Sequence, residues 1–180
     1  GPALNAALAQ SLLYRDACNW NFCHDTVQDA AYRLLSTTER QALHRRIAIA
    51  MLDLNYNKSR DNLLLLAGQL AKSAQLPVSP IDAGRFIRVL KTAATLARKI
   101  GVLDSARLYL DAGMAFSKSA SYNPAQPWEL EALRCEGLLE DAGTDSTALA
   151  IESLINNSAS PQQLAQAIAF KASMMTLRGR

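Results

Sequence analysis

The residue types able to do chemistry are sparse in this chain, and most of them gather near its start. His24-Asp25 invites comparison with metal phosphohydrolases, where a His-Asp pair binds a divalent ion; that chemistry needs a second histidine before the pair and a distant aspartate after it. The other histidine, His44, comes twenty residues later, so the order is wrong. A structural role fits better, with Asp25 near a helix N-terminus where a carboxylate is favoured. Cys18, Cys23 and His24 with a remote Cys135 have the donor types of a zinc site, but their spacing matches no common closed one. Buried apolar cysteines are the better reading. Cys23 beside His24 is a poor nucleophile pair, because neighbours on a helix point about 100° apart. No catalytic, cofactor or metal-binding residue is therefore expected. Arg40, His44, Arg45 and Arg46 form a basic cluster on one predicted helix, and nucleic-acid binding through residues 24–54 is the alternative function. A net charge of only +3 and 6% aromatic residues favour a solvated helix face instead.

The elements that must position these residues are helices. The 180 residues include 31 Ala and 28 Leu against 4 Val and 8 Ile, which favours helix over sheet. Nothing approaches the roughly 20-residue apolar run that spans a bilayer, and without a basic stretch followed by an apolar segment at the start no signal peptide is expected. An odd count of 3 cysteines suits a reducing cytoplasm better than a disulfide framework. Gly1-Pro2 resembles a protease scar, so the chain reads as an excised piece of something longer.

Leu4, Leu8, Leu12 and Leu13 recur at helical spacing and predict a first helix over residues 3–14. Alternation of Cys18, Trp20 and Phe22 predicts one short strand within 15–23, and Val27, Ala30, Ala31, Leu34 and Leu35 give a second helix its apolar face. Ser36-Thr37-Thr38-Glu39 is a capping box for a third helix carrying Leu43, Ile47, Ala50, Met51 and Leu54. A fourth helix comes after Asn55-Tyr56-Asn57. Ser79-Pro80 and Ser160-Pro161 start the fifth and ninth helices, and Gly101 and Gly143 close the fifth and seventh. The sixth helix covers about 103–119 and the eighth about 146–156. Short loops make consecutive helices antiparallel. Trp20, Tyr32, Phe86, Tyr109, Phe116 and Trp128 read chiefly as packing residues; Tyr109 and Trp128 join the basic cluster as candidate interaction residues if they face a concave surface.

A weak internal repeat runs through the second half. Residues 100–106 (IGVLDSA) align with 142–148 (AGTDSTA) at a 42-residue offset. With Ala94 and Ala97 on one helix, Gly101 at the turn, and Ala106 and Leu110 on the next, this resembles the tetratricopeptide repeat, whose period is about 34 residues. The resemblance implies a stack of helix hairpins with a concave binding surface.

Residues 20–48 carry a second resemblance. Phe22, His24-Asp25, Val27-Gln28, Ala30-Ala31-Tyr32, Arg40 and Leu43-His44 are similar, in this order, to a segment of large AAA-like and STAND-type signalling ATPases. There the segment lies between the nucleotide-binding domain and a helical repeat region, often within multi-sensor histidine kinases or serine/threonine kinases. Residues 67–72 (AGQLAK) also resemble that family, in the stretch directly after the signature. The chain has no Gly-x-x-x-x-Gly-Lys-Ser/Thr phosphate loop. The resemblance thus implies an all-α chain downstream of an ATPase core: residues 3–56 as a winged-helix-like end, and 57–180 as tetratricopeptide-like repeats. Its expected work is non-catalytic, through a protein partner or neighbouring domains of the same chain, in the cytoplasm. An apolar face left open on the last helix would be closed by homodimerisation.

Overall fold

In a computed structural model the described residues are 2–16, 19–120, 125–140 and 145–179, and 78% of the structure is helical. The elements run α1 (Pro2–Ala9), β1 (Leu13–Asp16), β2 (Asn19–Phe22), α2 (Asp25–Arg33), α3 (Thr37–Asp53), a 3-10 turn (Tyr56–Lys58), α4 (Arg60–Lys72), α5 (Pro80–Lys99), α6 (Leu103–Ser119), α7 (Ala125–Glu140), α8 (Asp145–Asn156) and α9 (Pro161–Arg178). The predicted caps are present. Ser36 Oγ accepts from the Glu39 N–H at 3.3 Å while the Ser36 N–H donates to Glu39 Oε2 at 2.8 Å. Ser79 and Ser160 likewise accept from the N–H groups of Asp82 and Gln163. Gly101 has φ +79, and the N–H groups of Gly101 and Val102 bond Arg98 O and Ala97 O, the Schellman closure of α5. Cys18 and Gly143 lie outside the described residues.

Three expectations are corrected. The first helix ends at Ala9, not near residue 14, and Ser11 turns the chain with φ 55. From Leu13 a period of two takes over, and the single expected strand is an antiparallel hairpin pairing Leu13 with Phe22 and Arg15 with Trp20. The Arg15 guanidinium sits 5.5 Å from the Trp20 ring centre, a cross-strand contact that helps fix this register. The third correction concerns the faces of α2 and α3. Leu34 and Leu54 are 87% and 77% exposed, and Leu43 and Ile47 are more than a third exposed. The buried positions of α3 are His44 and Ala48.

Helix hairpins account for the remainder. α3 packs on α4, α5 on α6, α7 on α8 and α8 on α9; α4 also lies beside α6, α5 beside α7, and α7 beside α9. Alanines make the close approaches possible: Ala67, Ala83, Ala93, Ala94, Ala97 and Ala106 are buried among Leu66, Leu70, Phe86, Leu90 and Phe116. A second cluster holds Trp128, Ala132, Cys135, Ile151, Leu154, Ala167 and Met174 of α7–α9. Leu130 of α7 belongs to the first cluster and touches the bare backbone of Gly113, where an added Cβ would meet its Cδ1 at 3.1 Å. An Arg85–Asp53 ion pair at 3.2 Å ties α5 to α3, and Lys91 pairs with Glu129 across α5 and α7.

Candidate interaction surface

The N-terminal elements meet α3 and α4 around one groove of about 580 Å³. It is lined by Phe22 of β2, Gln28, Asp29, Ala31 and Tyr32 of α2, the linker residue Leu35, Leu43, His44 and Ile47 of α3, and Gln69 and Lys72 of α4. Its floor is a hydrogen-bonded chain. The Tyr32 hydroxyl lies 2.8 Å from His44 Nε2, and His44 Nδ1 lies 2.7 Å from Gln69 Oε1. Because the amide oxygen can only accept, Nδ1–H donates to it and Nε2 accepts from Tyr32. One imidazole therefore links three helices, and its burial is compensated at both nitrogens. Around this floor Phe22, Tyr32, Leu43 and Ile47 are each more than a third exposed. Asp29 and Lys72 are the charged side chains of the lining. The arrangement suits the capture of an apolar side chain between polar edges.

The predicted basic cluster does not act as one surface. Arg40 Nε donates to Leu35 O at 2.9 Å and Nη2 to Arg33 O at 3.3 Å, so it closes the C-terminal end of α2 while covering the Tyr32 ring at 5.0 Å. Arg45 reaches across to the end of α4, where its guanidinium donates to Ser73 Oγ, Ser73 O, Leu76 O and Pro77 O at 2.7–3.2 Å. It also lies over Phe86 and Phe116, at 5.3 and 5.1 Å from the ring centres. Burial lowers its pKa from the ordinary arginine value, and the nearby Asp82 opposes that shift. The planar fork matches several carbonyls at once, which a lysine would not. Arg46 alone of the cluster is an exposed cation without a hydrogen bond or ion pair to a described residue.

Tyr109 and Trp128, expected as contact residues, belong to the core: each is 6% exposed. The Tyr109 hydroxyl donates to Leu64 O at 3.2 Å, and burial raises its pKa against the opposing effect of a Ser105 hydrogen bond. Trp128 Nε1–H donates to Leu154 O at 3.0 Å. Each polar tip thus satisfies a helix carbonyl while the ring packs, the usual accommodation of a buried Tyr or Trp. Cys135 is fully buried in the second cluster and Cys23 half-buried, both as thiols. His24 precedes the first residue of α2 without a side-chain capping bond, and Asp25 lies in its first turn. Among the described residues no group of three His, Cys, Asp or Glu side chains is placed to hold a metal ion.

Of the lining residues, Ile47 reads in the sequence only as part of a helix face, whereas Gln69 and Lys72 lie in the AGQLAK stretch that carries a resemblance. The signal available was the run IAIAML at 47–52, apolar all round the helix rather than along one stripe, as in a helix covered on more than one side. Among the described residues no helix is long and apolar enough to cross a membrane. Compared with known proteins, the chain matches no family model, no curated protein and no solved structure.

Proposed function

We propose that this chain is a non-catalytic protein-interaction and regulatory module of a larger cytoplasmic signalling ATPase or kinase. In this reading residues 3–56 are a winged-helix-like end segment and 57–180 a stack of tetratricopeptide-like hairpins. One observation carries it. Six residues of the signature, Phe22, Gln28, Ala31, Tyr32, Leu43 and His44, converge from three elements on the same partly apolar groove. The side-by-side placement of α4 with α6, α5 with α7 and α7 with α9 supports the stacked-hairpin part of the reading. The partner, a neighbouring domain or a separate protein, seats an apolar side chain against Phe22, Leu43 and Ile47.

The test places a photo-crosslinking amino acid at Gln28 and compares the otherwise native chain with Ile47→Asp, both checked by circular dichroism. A defined crosslinked protein that survives high salt and is lost in Ile47→Asp supports the reading. Identical crosslinking by both chains overturns it. On α9, Leu164, Ile168 and Met175 share one outward side and are 39%, 53% and 64% exposed, which supports self-association through that helix. Sedimentation velocity should then show a dimer that Ile168→Glu converts to monomer.

A further inference from the structure

The net charge of the molecule is concentrated in one helix. α5 carries Arg85, Arg88, Lys91, Arg98 and Lys99 against a single carboxylate, Asp82, so its balance of +4 exceeds the +3 of the whole chain. Arg88, Lys91 and Lys99 line an open hollow of about 610 Å³ whose other walls include Leu63 of α4 and Leu96 of α5. Lys91 is held by Glu129 of α7. Arg88 and Lys99 are exposed, and neither pairs with a carboxylate among the described residues. The Thr92 and Thr95 hydroxyls, which face the same hollow, already donate to Arg88 O and Lys91 O. The hollow therefore offers two unneutralised cations at either end of a partly apolar floor.

We propose that this face of α5 binds an acidic peptide segment carrying an aliphatic side chain, its carboxylates meeting Arg88 and Lys99 and its aliphatic group resting on Leu63 and Leu96. The inference rests on the interaction-module reading but uses a surface separate from the groove above. Length agrees: Arg88 and Lys99 are eleven positions apart on one helix, about 16 Å along the axis. About five residues of extended peptide span that distance. A nucleic acid fits less well. Among the described residues no aromatic ring lines the hollow to stack on a base, and three cations are few against the six to ten phosphate contacts of strong polyelectrolyte binders.

The test is fluorescence anisotropy with the full chain and a labelled peptide Glu-Glu-Ser-Leu-Ser-Glu-Glu at low salt. Comparison probes are the same peptide with Ser for Leu, the same with Gln for every Glu, and a twenty-nucleotide oligothymidylate. Binding of the first probe is expected to weaken tenfold or more in Arg88→Glu/Lys99→Glu, and at least threefold when its Leu is replaced by Ser. The Gln peptide should not bind. The milder Arg88→Gln/Lys99→Gln pair should fall between wild type and the charge reversal, with all variants checked by circular dichroism. Ile47→Asp should leave the affinity unchanged, so loss of groove crosslinking with retained peptide binding separates the two readings. Absence of binding, equal binding of the Leu and Ser peptides, indifference to the charge reversals, or tighter binding of the oligonucleotide would each overturn the proposal.

Discussion

Arg45 and Arg46 are adjacent in sequence and opposite in consequence. Arg45 makes four hydrogen bonds to the end of α4 and its linker and covers two phenylalanines; truncation would strand those carbonyls and open the ring faces. Arg45→Ala is expected to cost about 3 kcal/mol in urea unfolding. Arg45→Lys should recover only part of that, whereas Arg46→Ala should stay within about 0.5 kcal/mol of wild type. Tyr32→Phe removes the hydroxyl donated to His44 and should cost about 1 kcal/mol, measured the same way. Glu39 adds a pH dependence. Its carboxyl is held below the ordinary glutamate value by the Ser36 side chain and then by the Ser36 backbone N–H. A depressed carboxyl stabilises the fold above its unfolded pKa, and that contribution is lost as pH falls through its folded pKa. Glu39→Gln should therefore flatten the acid limb of stability against pH, with little change in shape above it.

At the scale of elements, boundaries marked by local chemistry were legible, as were the packing positions Ala94, Ala97, Ala106 and Leu110 of α5 and α6, but the faces of α2 and α3 were not. Ser36, Ser79-Pro80, Gly101 and Ser160-Pro161 act within four residues of themselves, so their sequence neighbourhood suffices to place helix ends. Gly101→Ala should destabilise by about 1–2 kcal/mol in urea unfolding, because its φ of +79 penalises any Cβ. Which side of α3 turns inward depends on Ser73, Leu76, Pro77 and Gln69, residues 25 to 32 positions away whose acceptors let Arg45 and His44 face inward. The same long-range satisfaction draws Tyr109 and Trp128 into the core. The hairpin was half legible: its alternation was visible in Trp20 and Phe22, but Leu12 and Leu13 also completed a helical pattern with Leu4 and Leu8. The groove drew on residues seen in the signature; its assembly in space needed α4.

Across the whole molecule α7 contributes to both buried clusters: its Leu130, fully buried beside α6, belongs to the first, while Trp128, Ala132 and Cys135 belong to the second. Leu130→Ala should cost about 2–5 kcal/mol and loosen the coupling between the clusters. In a Trp20→Phe background, Trp128 fluorescence would then report an earlier urea midpoint than circular dichroism, where the unsubstituted Leu130 gives coincident transitions. The distribution of burial has one further consequence. None of the described side chains between residues 5 and 43 is buried, and the first that is, His44, is the one holding Tyr32. Amides of β1, β2 and α2 are hydrogen-bonded, yet their opening uncovers only partly buried side chains and none from the core. Deuterium uptake there should run orders of magnitude faster than in α5 and α6, and a ligand filling the groove should slow it before it slows anything else.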